Sequence, residues 1–169
     1  MSTDKFDLQK LTVKSLNKEM DLSCFDCSQD DDLDLNGFIH NEALQYQQDG
    51  MGTTYTFHYQ NDFVGYVTVA MHAIEVKETR LHIVTNQKHY PALLLGRLGV
   101  HNNYRNRGVG HSMCLWTIGY AKKLSKEVGC RFVVLLTTPS KVEFYRKCGF
   151  EVCPKYERKQ KVLMYFQIS

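Results

Sequence analysis

Two arginines and two glycines fall within six consecutive residues, Arg105-Asn106-Arg107-Gly108-Val109-Gly110, immediately ahead of a stretch with helical periodicity. Glycines let the backbone turn sharply and bring successive amide N–H groups together. In the first turn of a helix those amides have no internal acceptor and stand at the positive end of the peptide dipoles. With two guanidiniums beside them they form an anion site, and the anion that best fits several amides and two forked cations is a pyrophosphate. The P-loop pattern fails, because no Gly-Lys-Ser/Thr follows the glycines. The dinucleotide pattern fails too, since it needs three spaced glycines near the start of a repeating strand–helix unit and an acid after the next strand. What is present is Arg-x-x-Gly-x-Gly after a strand.

Other reactive side chains are sparser. His101 lies just past that strand, and histidine is the residue type suited to taking a proton at neutral pH, which makes it a candidate base for an attacking amine. Of six cysteines, Cys24 and Cys27 have Cys-x-x-Cys spacing, but no matching second pair accompanies them and they do not open a helix. All six are therefore expected as reduced thiols, with no metal bound. The acidic run 30–34 lacks the distal glutamate of a calcium loop and suits the first turn of a helix. There is no His-x-x-x-His pair and no serine elbow, so a hydrolase triad has no support.

The elements that must hold the glycine turn are legible on both sides of it. Residues 92–100 form an apolar run after Pro91, short enough for a buried strand. A polar loop spans 101–107. Val109, Met113, Trp116, Tyr120, Leu124 and Val128 then recur at helical steps on one face, with Gly129 as the stop. Residues 131–136 read as another buried strand, followed by Pro139-Ser140 and a short helix running into 143–150. Upstream, 6–14 is expected as a first strand with Leu8, Leu11 and Val13 partly buried. Leu35, Phe38, Ile39, Ala43 and Tyr46 mark one helix, closed by Gly50 and Gly52. Residues 53–59 and 63–72 form a hairpin about Gln60-Asn61-Asp62. Residues 74–85 extend the hairpin or cross over, and 86–89 lead flexibly into the core strand. Beyond Pro154, a basic segment with Lys155, Arg158, Lys159 and Lys161 precedes a last strand, 162–168. This order predicts an α/β fold with a mixed, mostly antiparallel central sheet and helices on both faces.

A chain of 169 residues with 43% apolar content suits one domain, 1–169. The net charge of +3 neither requires nor excludes a nucleic-acid partner. The first residues lack a basic flank followed by an apolar stretch, and no apolar run approaches the roughly twenty residues of a membrane span. The expectation is a cytoplasmic protein with no membrane partner.

Arg105, Gly108 and Gly110, with the later Phe144-Tyr145-x-x-x-Gly149-Phe150, resemble the two hallmarks of the GNAT superfamily of N-acetyltransferases. The resemblance implies the acyl-CoA N-acyltransferase fold and an enzyme that moves acetyl from acetyl-CoA to a primary amine by direct attack, without metal. It implies that Arg105, Asn106, Arg107, Gly108, Val109 and Gly110 cradle the pyrophosphate. It further implies that Leu98 and Val100, on a strand that splays from its neighbour, offer main-chain contacts to the cofactor, and that Tyr145 is the acid that protonates the leaving thiolate. Thr138 stands where many members have asparagine, seven residues before the tyrosine.

Leu95-Gly96-Arg97-Leu98-Gly99-Val100, the early Phe25-Asp26-Cys27 and Leu33-Asp34 are similar to GNAT toxins of toxin–antitoxin pairs. That likeness implies aminoacyl-tRNA as acceptor and an antitoxin protein as partner, and a homodimer is compatible with it. Here Gly99 replaces an alanine, and His101 stands where the toxins often have aspartate. Lys122, Lys123, Lys126, Arg131 and segment 155–161 would supply a tRNA face, an ordinary solvated lysine surface being the alternative. Two other readings stay open: a non-catalytic acyl-CoA-binding regulatory module and a nucleic-acid-binding protein.

Overall fold

The computed structural model describes residues 6–80, 86–156 and 159–168; the expectations for 81–85 and for Arg158 lie outside them. Seven strands form one mixed sheet: β1 (Thr12–Ser15), β2 (Thr53–Tyr59), β3 (Asp62–Glu75), β4 (His89–Val100), β5 (Phe132–Thr137), β6 (Glu151–Val152) and β7 (Val162–Gln167), in the order β1-β2-β3-β4-β5-β7-β6. The β4–β5 pair is parallel, whereas β1–β2, β5–β7 and β6–β7 are antiparallel. The helices are α1 (Leu35–Asn41), α2 (Ala43–Gln48), α3 (Val109–Leu124) and α4 (Val142–Lys147).

The chain divides into two compact units, Met1–Thr68 with Arg97–Met113 and Val69–Gly96 with Cys114–Ser169. In the first, Tyr66 on β3 is fully buried among Phe25, Leu35, Phe38, Ile39 and Ala43, and its hydroxyl donates to Leu35 O at 2.6 Å. The neighbouring Gly65 points to the other side, where a Cβ would stand 2.4 Å from Met113 Sδ of α3. Alternation along one strand thus puts α1 and α2 on the Tyr66 side and Met113, from the start of α3, on the other. The hairpin forms as predicted. Its turn is Gln60-Asn61, both left-handed at φ 49° and 73°, the two-residue geometry whose twist matches the strands.

The acidic run opens α1 through two of its members. Asp31 accepts from the amides of Leu35 and Asn36 at 2.7 and 2.8 Å, and Asp34 accepts from Gly37 at 3.2 Å. The single helix expected over 35–46 is two, meeting at Glu42, whose φ of −126° leaves the helical range. The first strand is shorter than expected: Leu8–Lys10 is a 3-10 turn and Leu8 is exposed.

The second unit is built on β5, Val133, Val134 and Leu135 of which are buried. Phe132 and Val134 join Ile74, Tyr90, Ala92, Cys153 and Tyr165 in a core on one face. Helix α3 ends at Leu124, not at Val128, which is exposed. Ser125 Oγ donates to Lys122 O at 2.7 Å, and a hydroxyl that takes up a helical carbonyl favours a stop. The buried face of α3 consists of Val109, Met113, Cys114, Thr117, Ile118 and Ala121, while Trp116, Tyr120 and Leu124 are half-buried at its margin. Strand β6 has only two residues, too few to carry a period legible in the sequence. All six cysteines are free thiols, with Cys24 exposed and Cys27 buried.

Candidate active site

Strand β4 delivers the chain to the glycine turn. Its last bond is His101 N–H to Val64 O at 2.9 Å, after which Asn102–Tyr104 forms a 3-10 turn. Leu98 and Val100 are half-buried near the end of the strand. Asn106 then takes a left-handed φ of 60° and Gly108 one of 85°, and α3 starts at Val109. The first helical bond is Ser112 N–H to Gly108 O at 3.0 Å, so the amides before Ser112 lack an i−4 acceptor inside the helix. A Cβ on Gly108 would lie 3.1 Å from Leu8 Cδ1, so hydrogen is the fitting substituent on steric as well as conformational grounds. A turn of this shape, with Arg105, Asn106 and Arg107 half-buried to exposed beside it, fits a diphosphate group.

The two arginines do not play equal parts. Arg105 Nη1 donates to Gln29 O at 3.0 Å and to Asp30 Oδ2 at 3.1 Å, tying the loop to the left-handed corner at Asp30. Of the two guanidiniums expected at the anion, the first is thus shared with a carboxylate. Arg107 is exposed, with its guanidinium 5.4 Å from the Tyr104 ring centroid. Tyr104 donates to Asp62 Oδ2, a bond that holds its phenol pKa above the usual value. Beside the loop, Lys14, His58, Phe63, His101, Tyr104 and Arg107 line a cleft of about 700 Å³.

His101 is not arranged as a base. The Asn103 amide donates to its Nδ1 at 3.1 Å, which fixes the proton on Nε2, and Nε2–H donates to Cys24 O at 2.8 Å. Both ring nitrogens are engaged and no lone pair is left for an amine proton. The residue clamps the loop instead.

In the second unit Tyr145 lies on α4, 8% exposed. Its position follows from the end of the helix. Phe150 N–H returns to Tyr145 O at 3.1 Å and Gly149 N–H to Arg146 O at 2.9 Å, with Gly149 left-handed at φ 97°. This is a Schellman stop, in which the residue after the glycine packs back on the helix. Phe150 does so against Tyr145, with ring centroids 6.0 Å apart. The spacing Phe-Tyr-x-x-x-Gly-Phe is therefore a folding unit that fixes a tyrosine. Burial raises the phenol pKa well above its usual value, and the thiols of Cys114 and Cys148 add to the rise. The group stays protonated at neutral pH.

Thr138 stands at the N-cap position of the 3-10 turn Pro139–Lys141 without a side-chain cap bond, its hydroxyl 3.1 Å from Ser140 Oγ. The preceding Thr137 is 2% exposed, and its Oγ1 has no hydrogen-bond partner among the described residues. The spacing to the tyrosine points to residue 138, and no local signal in the sequence marks its neighbour. The β4–β5 register ends at Leu94↔Val134, although β4 continues to Val100 and β5 to Thr137.

A family model described as an acetyltransferase (GNAT) domain matches residues 50–152, more than half of the chain. The protein belongs to the GNAT family. It is an acetyl-CoA-dependent N-acetyltransferase. No curated protein sequence gives a significant match. Among solved structures, the chain is similar to AtaT complexed with acetyl-methionyl-tRNAfMet, with a TM-score of 0.81 at 19% identity, covering 93% of this chain and 94% of that one. A variant of the AtaT toxin bound to the C-terminus of the antitoxin AtaR and acetyl-CoA gives 0.74 at 19% identity, covering 94% of each. The KacTA–DNA complex gives 0.73 at 22%, covering 94% of this chain and 93% of that one. At these identities the likeness is one of fold. Among the described residues, no group of three or more His, Cys, Asp or Glu could hold a metal ion, and no helix is long and apolar enough to cross a membrane.

Proposed function

We propose that this GNAT enzyme acetylates the free α-amine of an aminoacyl-tRNA, as a cytoplasmic toxin restrained by an antitoxin protein. The observation that carries the reading is the fold match to AtaT in its acetyl-methionyl-tRNA complex, which spans nearly all of both chains. The match supports treating 1–169 as one catalytic domain, as does the course of β3, β4 and α3, each of which runs from one unit into the other. Acetyl-CoA supplies the acetyl group as a thioester. The amides of residues 108–110, with Asn106 and Arg107, hold its pyrophosphate, and Arg105 keeps their loop in place through Asp30. Main-chain groups of Leu98 and Val100 orient the thioester end. Tyr145 Oη–H gives a proton to the departing sulfur, a role suited to a phenol that burial keeps neutral. The amine proton passes to solvent, because the His101 ring is committed to Cys24 and Asn103.

Thiol release from acetyl-CoA, measured with charged tRNAs, lysine peptides and polyamines in turn, tests this reading. Release with aminoacyl-tRNA is expected. Release with peptides or polyamines alone would assign a different acceptor, and acetyl-CoA binding with no release to any amine would favour the regulatory module.

A further inference from the structure

A buried hydroxyl with neither donor nor acceptor satisfied costs stability, and native proteins keep few of them. Three buried side-chain polar atoms lack a partner among the described residues: Tyr90 Oη, Arg131 Nε and Thr137 Oγ1. The first two lie where β4 and β5 begin. Thr137 is the last residue of β5, at the carboxyl end of the parallel pair, the end at which open α/β sheets take their ligands.

The register shows which face Thr137 occupies. Directly opposed residues of an antiparallel pair share a face, so Val133 with Phe166, Leu135 with Met164 and Thr137 with Val162 lie on one side of the sheet. Phe166 touches Phe150, with centroids 5.8 Å apart, and a Cβ on Gly149 would stand 3.2 Å from its ring. Phe150 is the residue packed on Tyr145. The unpaired hydroxyl is therefore on the sheet face that α4 and its tyrosine cover. It also lies three residues beyond the last β4–β5 pair, where β5 remains paired only to β7.

We propose that Thr137 Oγ–H binds the thioester end of the acyl-CoA, donating to its carbonyl oxygen. The inference rests on the acetyl-CoA reading of the site and not on the identity of the acceptor. Threonine suits the role because its methyl packs like valine while its hydroxyl stays available, and the unliganded protein bears the cost of the unmet bond.

The test is calorimetric titration of the full chain with acetyl-CoA and with free CoA, together with thermal melting. Thr137→Val is isosteric and removes only the bond. It is expected to weaken acetyl-CoA binding roughly tenfold, the equivalent of one hydrogen bond, to affect free CoA much less, and to leave the unliganded Tm unchanged or raised. Thr137→Ser is expected to restore acetyl-CoA binding. Equal affinity of Thr137→Val and wild type for acetyl-CoA would overturn the proposal. So would a parallel loss of both ligands with a lowered Tm that serine does not recover, since that marks a structural hydroxyl. Failure of the wild-type protein to bind either ligand would overturn the acetyl-CoA reading of the site and this proposal together, whereas failure of the tRNA assay alone would leave this one standing.

Discussion

Tyr145 and His101 are both polar rings near the ends of short elements, yet their surroundings give them opposite capacities. Tyr145 is enclosed by Phe144, Phe150 and two thiols and holds its proton. His101 has spent both nitrogens on the backbone. Replacing Tyr145 with phenylalanine keeps the packing and removes the acid. Thiol release is expected to fall by about a hundredfold or more, the low end for a general acid, while acetyl-CoA still binds; a parallel loss of both would show that the ring only supports the fold. Changing His101 to alanine removes two hydrogen bonds, each worth about 1 kcal/mol. A lower Tm with little change in turnover is expected, and a collapse of turnover at unchanged Tm would restore the histidine as the base.

At the scale of elements, two glycine-dependent joints define the site. One is the turn into α3, where Gly108 is left-handed against Leu8; the other is the Schellman end of α4 at Gly149. Gly108→Ala forces an L side chain into a conformation that costs about 1–2 kcal/mol and sets a methyl against Leu8. Differential scanning calorimetry should show a lower Tm, and acetyl-CoA affinity should fall with it; an unchanged melt would mean that the loop has slack the structure does not show. Gly99 is a third case. A Cβ there would stand 2.7 Å from Tyr66 Cε1, and Tyr66 is pinned by its bond to Leu35 O. The glycine that departs from the toxin motif is thus matched to a tyrosine across the strand. Gly99→Ala is expected to destabilise by about 1–3 kcal/mol, the usual cost of overpacking, and a second change, Tyr66→Phe, should not relieve it because the clash is with the ring.

For the molecule as a whole, buried phenols and thiols set the alkaline limit. Tyr66, Tyr145, Cys114 and Cys153 all titrate above their ordinary values, burial being the first cause for every one except Cys114, where a hydrogen bond with Cys148 leads; Cys153 is pushed up to about 12. The folded chain thus keeps protons that the unfolded chain releases near pH 8.5 for cysteine and 10 for tyrosine. These groups contribute their full stability below those values and lose it as pH rises toward the folded values. Urea midpoints should therefore fall steadily from about pH 8.5 to 12, and a flat profile would contradict the burial of these groups.

Much of this molecule was legible in its residues because the signals were local. The hairpin at Gln60-Asn61, the strands on either side of α3, the glycine turn and the tyrosine-to-phenylalanine helix end each depend on neighbours within a few positions, and the sequence alone determined them along with the family they mark. What only the tertiary structure decided involves partners far apart in the chain. Arg105 meets Asp30, His101 meets Cys24, and Thr137 is left without a partner at the end of a strand whose ladder to β4 has already stopped. Whether a side chain is charged, committed or unmet depends on which groups the fold brings beside it, and period and spacing record only where it sits along its own element.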